Sequence, residues 1–141
     1  RLDTLQANVL NVKIDTLEKE NKQRKKNAKL YFKFLNKVNG IKLPSINRYS
    51  DHIFHQFTIK VLKNKRNSLQ KYLRKSGIET IIYYPKVFNQ QKAFKNKLRR
   101  ISSLKNSIKL SKEVLSIPIN GNLSYKEIEY ISNNIKKYYN V

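Results

Sequence analysis

From Leu2 to Val38 the apolar side chains recur at intervals of three and four: Leu2, Leu5 and Val9, then Leu10, Ile14 and Leu17, then Ala28, Tyr31, Leu35 and Val38. This is the period of an α-helix, and the length of the run predicts one long helix or two abutting ones. Residues 18–26, in the middle, are almost wholly polar, so that stretch projects into solvent or faces another domain. Asn39-Gly40 is expected to close the helix, and Pro44 marks a loop.

Beyond that loop the period changes. Ile53, His55, Phe57, Ile59 and Val61 alternate with Phe54, Gln56, Thr58 and Lys60, which predicts a half-buried strand over 53–61. Residues 65–75 carry Leu69, Tyr72 and Leu73 and run into Gly77, the residue expected in the left-handed conformation just past a helix. A second strand is predicted over 78–84, stopped by Pro85; Leu98, Ile101, Leu104 and Ile108 predict another helix; residues 113–117 predict a short strand ended by Pro118. Asn120-Gly121-Asn122 reads as a turn. The last helix is the clearest: Ser124 with Glu127 forms a capping box, Leu123 and Ile128 occupy the staple positions, and Ile128, Ile131, Ile135 and Tyr138 supply a buried stripe. The order of elements describes a small α+β domain with a sheet of about three strands covered by helices. A length of 141 residues gives room for one such domain.

Composition narrows the chemistry. The absence of Cys excludes a disulfide framework, a thiolate metal site and a Cys nucleophile. A chain with no Met that opens on Arg1 reads as a processed product or a piece of something longer. No apolar run resembles a signal peptide or approaches a membrane span, so a cytoplasmic location is expected. The net charge of +22 suggests a polyanionic partner. Yet the excess is 24 Lys against 7 Arg, alongside 17 Asn, 15 Ile and only 3 Ala. Codons for Lys, Asn and Ile are A/T-rich, so genome composition accounts for much of the charge, and the arginine forks or stacking platforms of base readout are not conspicuous.

No self-contained active site emerges from the residues. His52 and His55, three apart on a straight strand, fall on opposite faces and make poor joint metal ligands. Glu18/Glu20 and Glu127/Glu129 are two apart on helices and do not converge, while Asp15 with Lys19 and Glu18 with Lys22 read as surface ion pairs. Gly40, Gly77 and Gly121 are too scattered for a phosphate loop.

Four phrases in order nevertheless carry a resemblance: RLDTLQANVL, HIFHQFTIKV, GIETIIYYPKVFNQQKAF and SKEVLSIPINGNLSYKEIEYISNNIKKYY. Together they resemble the C-terminal part of the DegT/DnrJ/StrS family, pyridoxal-phosphate-dependent sugar-nucleotide aminotransferases of fold type I. The resemblance implies a small C-terminal domain over residues 40–141 preceded by a connecting helix or helices over 1–39. It implies amino transfer from glutamate to a keto-sugar nucleotide, with the cofactor as electron sink and the Schiff-base Lys in an N-terminal domain that this chain lacks. No Lys here sits in the family's serine-rich context, so none is assigned as catalytic and the chain alone is expected to be inactive. Implied partners are that cofactor domain, a homodimer partner subunit and the nucleotide sugar.

Site residues follow by the same resemblance. Arg1 matches the Arg of an Asn-x-Arg segment that reaches the partner's cofactor phosphate and substrate, a role suited to a planar guanidinium. Tyr83 and Tyr84, before Pro85, match the strand exit that lines the sugar-nucleotide pocket. Asn89 stands where relatives carry the His of Pro-Leu-His-x-Gln; it can donate a hydrogen bond but cannot carry a proton. His55-Gln56-Phe57 matches a His-Gln-Tyr phrase whose main role is packing, and Lys13 matches a helix Lys read as a solvated charge. The competing readings are a basic nucleic-acid-binding domain and an inactive split-gene remnant.

Overall fold

A single unbroken helix, α1 (Thr4–Leu35), takes up the helical stretch in the computed structural model, which describes residues 2–94 and 103–141. Neither Gly nor Pro interrupts it. The Asp3 side chain caps its start by accepting a hydrogen bond from the Leu5 amide at 2.9 Å. The helix ends at Leu35, four residues before the predicted Asn39-Gly40 stop. Tight turns replace its last carbonyl partners: the Val38 amide bonds to Leu35 O and the Ile41 amide to Val38 O. Gly40 serves close packing instead, because a Cβ there would lie 1.9 Å from Cε1 of the Tyr139 ring.

The sheet has three antiparallel strands in the order β1 (Ile41–Lys42), β2 (Phe57–Val61) and β3 (Val114–Ile117). Ile41 faces Val61, Phe57 faces Ile117 and Ile59 faces Leu115. The strand number matches expectation, but the membership does not. The predicted strand over 53–61 holds only from Phe57: Phe54 turns to a φ of 52° and buries its own ring, leaving Ile53 and His55 exposed. The His52 ring lies 4.4 Å from that of Phe54, and its Nδ1 accepts from the Phe54 amide at 2.8 Å. The predicted strand over 78–84 reduces to one bridge, Ile81 exchanging two hydrogen bonds with Ser116. β1, two residues long, carries too short a pattern to be read.

Phe57, Ile59 and Val61 enter the core from one face of the sheet with Leu115 and Ile117, while on the other Thr58 and Ser116 join hydroxyls at 2.8 Å. Tyr31 and Leu35 of α1 complete the core with Leu69 and Leu73 of α2 (Arg66–Lys75) and Ile128 and Ile135 of α4 (Tyr125–Tyr138). α2 stops as its sequence predicts. Gly77 takes a φ of 72°, its amide bonds to Arg74 O and that of Ile78 to Leu73 O, so Ile78 folds back into the core. Of the helix expected from Leu98, Ile101, Leu104 and Ile108, the described part is α3 (Lys105–Glu113), which begins just after Leu104; Leu98 and Ile101 lie outside the described residues.

Two buried polar side chains tie α1 to the segment before α4. Asn27 donates to Asn120 O at 2.7 Å and Leu123 O at 3.2 Å while accepting from Gln23 at 3.1 Å. The Tyr31 hydroxyl donates to Pro118 O at 2.7 Å. Burial, and then the Glu127 charge, raise its pKa well above the ordinary phenol range.

α4 starts with the predicted capping box. Ser124 Oγ accepts from the Glu127 amide and the Ser124 amide donates to Glu127 Oε2 at 2.8 Å. Hydrogen bonds from the Ser124 side chain and then its backbone hold the Glu127 carboxyl below its usual range. A depressed value means that this stabilisation is present above the ordinary carboxylate range and is lost as pH falls through the lowered one. Ser124→Ala is expected to cost about 1 kcal/mol in urea unfolding and to return the Glu127 titration, followed by NMR, toward normal. An unmoved titration would show that Ser124 is not what holds the carboxyl.

Among the described residues the ion pairs are Lys25–Asp51 and Lys109–Glu113. The expected Asp15/Lys19 and Glu18/Lys22 pairs do not close, consistent with the entropic cost of fixing long side chains in water. The first half of α1 stands clear of the core. From Leu2 to Leu17, seven Leu, Val and Ile side chains are 49% to 74% exposed.

Candidate functional site

Past the Ile81 bridge, the chain leaves the sheet through Tyr83, Tyr84 and Pro85 and enters two 3-10 turns, Phe88–Gln90 and Lys92–Phe94. The first turn is held by the Gln90 amide on Val87 O at 2.9 Å, and the Phe88 and Phe94 rings meet edge-on at 5.3 Å. Because Ile81 is pinned to Ser116 of β3, this exit is carried beside α3. A groove of about 600 Å³ opens between them. Tyr83, Tyr84, Lys86, Val87, Phe88 and Gln91 form one wall; Leu104, Ser107, Leu110 and Ser111 of the α3 segment, with Val114, form the other.

Tyr83 is 37% and Tyr84 71% exposed, with ring centroids 5.6 Å apart at 77°. Neither is an ordinary core side chain. Asn89 lies on the first 3-10 turn but is not among the described residues lining the groove; its Oδ1 is enclosed and has no hydrogen-bond partner among the described residues. Arg1 lies outside the described residues. His55 is exposed just before β2, and Lys13 is exposed on α1.

The α3 wall was not read from the sequence as part of a site. Its residues carry an ordinary helical period, and only the docking of α3 against the Tyr83–Pro85 exit turns that face into a lining. Arg66 was also missed. At 8% exposed it donates to Val114 O at 3.2 Å and Asn67 Oδ1 at 2.7 Å, bracing the start of β3 under the groove, and burial lowers its pKa.

The groove is predominantly apolar, with Lys86 its one cation among the described lining residues. The Ser111 hydroxyl is already spent on Ile108 O at 2.8 Å. Such a surface suits a ring-bearing ligand oriented by a few polar groups; its described lining residues include no acid–base pair. Among the described residues no three His, Asp or Glu side chains gather as a metal site, and no helix is long and apolar enough to cross a membrane.

The described residues thus form a small antiparallel sheet backed by helices, entered by a long helix and bordered by a tyrosine-lined groove. The chain belongs to the DegT/DnrJ/EryC1/StrS aminotransferase family, whose sequence profile matches residues 1–136. It is 33% identical over 99% of its length to the pleiotropic regulatory protein of Geobacillus stearothermophilus. It is 32% identical over 98% of its length to the dTDP-3-amino-3,6-dideoxy-alpha-D-galactopyranose transaminase of Aneurinibacillus thermoaerophilus. In both cases it spans 37% of the relative, and it corresponds to the C-terminal part of such proteins. All of this chain superposes on 38% of S. venezuelae DesV, solved with a ketimine intermediate, with a TM-score of 0.91 and 27% identity. A family aminotransferase from Brucella abortus matches with a TM-score of 0.90 and 30% identity, over 37% of that chain.

The described residues do not by themselves fit pyridoxal phosphate. The phosphate and ring need a cradle of converging donors, whereas the groove offers one ammonium group and few free hydroxyls.

Proposed function

We propose that this chain is the small-domain part of a pyridoxal-phosphate-dependent aminotransferase that moves an amino group from glutamate to a keto-sugar nucleotide. In this reading residues 1–39 connect to a cofactor-bearing N-terminal domain and residues 40–141 form the small domain. The cofactor is bound mainly by that other domain, Arg1 reaches a partner subunit's cofactor phosphate and substrate, and the enzyme is a cytoplasmic homodimer. Tyr83 and Tyr84 face the sugar nucleotide, with Asn89 nearby in place of a His.

The observation that carries the reading is the exposed tyrosine pair on an apolar groove, in a chain whose relatives include a dTDP-sugar transaminase. Aromatic faces and a single flanking cation suit a ligand with a flat base or sugar ring and a phosphate. The competing nucleic-acid reading has only the diffuse charge behind it; sequence-indifferent DNA binding that disappears steeply with salt is what such charge supplies.

The test is amino transfer. Incubated with pyridoxal 5′-phosphate, glutamate and a keto-sugar nucleotide, the 141-residue chain is expected to show no turnover, because in this reading the Schiff-base Lys belongs to the N-terminal domain. The same chain joined to a cofactor-bearing N-terminal domain of the family should turn over, and Tyr84→Ala should raise its KM for the sugar nucleotide. Turnover by the chain alone, or a joined protein inert toward every keto-sugar nucleotide, would overturn the reading.

A further inference from the structure

Ile81 and Ser116 exchange both of their backbone hydrogen bonds, the Ile81 amide donating to Ser116 O at 3.0 Å and the Ser116 amide to Ile81 O at 2.8 Å. In an antiparallel ladder the backbone groups of every second residue face the same neighbour. Val114, two residues before Ser116 on β3, therefore turns its amide and carbonyl to that side as well, and continuing the register would set Tyr83 opposite it. This second pair does not form. The Val114 amide donates to Leu110 O of α3, and the Val114 carbonyl accepts from Arg66 Nη1 at 3.2 Å. The Tyr83 amide makes no backbone hydrogen bond among the described residues. Tyr83 and Val114 instead line the same groove.

Arg66 is ill suited to this place on grounds of stability alone. It is buried, and among the described residues no carboxylate lies within ion-pair distance of it. It is the first residue of α2, the end at which the helix dipole disfavours a cation. Burial lowers its pKa, so the charged form is the one penalised. An apolar side chain of similar volume in place of buried charge is often neutral or stabilising. What such a side chain lacks is a donor for Val114 O, and that carbonyl is the one Tyr83 would need in order to join the sheet.

We propose that Arg66 is a positioning residue: by occupying the Val114 carbonyl it denies Tyr83 a partner on β3 and so holds the Tyr83–Tyr84 pair out on the groove. That the exposed tyrosines meet a sugar nucleotide rests on the amino-transfer reading; that Arg66 keeps them off the sheet does not.

The test is the direction in which amide exchange changes. In the full chain, Arg66→Met keeps the bulk and removes the donors, while Arg66→Gln keeps an amide too short to reach Val114 O. With the carbonyl vacant, the Tyr83 amide is expected to take it and to exchange with deuterium about tenfold more slowly than in wild type, the worth of one hydrogen bond. A purely structural arginine gives the opposite sign, because its loss loosens the chain and speeds exchange. Arg66→Lys, which can still donate to Val114 O, should leave the Tyr83 amide fast. In the chain joined to a cofactor-bearing N-terminal domain of the family, Arg66→Met should raise KM for the sugar nucleotide with kcat close to wild type, the mark of lost ground-state binding. Should the joined wild-type protein be inert, the amino-transfer reading fails and the exchange measurement alone decides this one. Unchanged or faster Tyr83 exchange in Arg66→Met and Arg66→Gln, failure of both to fold, or slowing in Arg66→Lys equal to that in Arg66→Met would each overturn the proposal.

Discussion

Replacing Asn27 by alanine is expected to destabilise the chain by about 3 kcal/mol, lowering its unfolding midpoint by about 10 °C. The side chain is 1% exposed and its amide serves two carbonyls, Asn120 O and Leu123 O, on the segment that leads into α4. Alanine leaves both carbonyls without the donor that holds them and opens a void at a close-packed contact. Gln23→Ala, which removes only the hydrogen bond to Asn27 Oδ1, should cost far less. Equal losses in the two variants would show that the two backbone contacts do not stabilise the join between α1 and α4.

The second large effect concerns association. Leu5, Val9, Val12 and Ile14 are each more than half exposed, as are Leu2 and Leu10, on a helix segment that touches none of the core. An apolar surface of this kind favours contact with another apolar surface. The chain alone is therefore expected to sediment as an oligomer at high micromolar concentration. The double variant Leu10→Lys/Ile14→Lys should be monomeric with an unchanged thermal midpoint, since neither side chain packs in the core. Co-expression with a cofactor-bearing N-terminal domain of the family should also suppress association. A wild-type chain that stays monomeric throughout would refute the claim that this stripe is adhesive.

Signals confined to a few neighbouring residues were legible in the sequence. The Ser124/Glu127 capping box, the Gly77 helix stop and the turn at Asn120-Gly121-Asn122 all form where expected, because each depends on hydrogen bonds within one turn of chain. Alternation was less informative. In 53–61 it runs on past the point where Phe54 leaves the extended conformation to bury its ring among Phe32 and Phe57, a tertiary demand that overrides the local pattern. In 78–84 the apolar residues are real, but β3 offers them a partner only at Ser116. The groove divides in the same way. Tyr83 and Tyr84 were singled out through a family phrase, whereas Leu104, Ser107 and Leu110 face them only because α3 folds back from a distant part of the chain.

Helix α1 also has a mechanical consequence. Only its final turns are anchored in the core, through Asn27, Ala28, Tyr31 and Leu35. The stretch from Asn27 back to Thr4 contains neither Gly nor Pro and extends about 35 Å at 1.5 Å per residue. It behaves as a stiff lever whose fulcrum lies inside the core. A tilt of about 5° at the fulcrum displaces the far end by about 3 Å, comparable to the length of one hydrogen bond. Whatever rides on the beginning of α1 is thus coupled in angle to the packing around Tyr31, and a substitution that merely loosens that packing is felt several nanometres away.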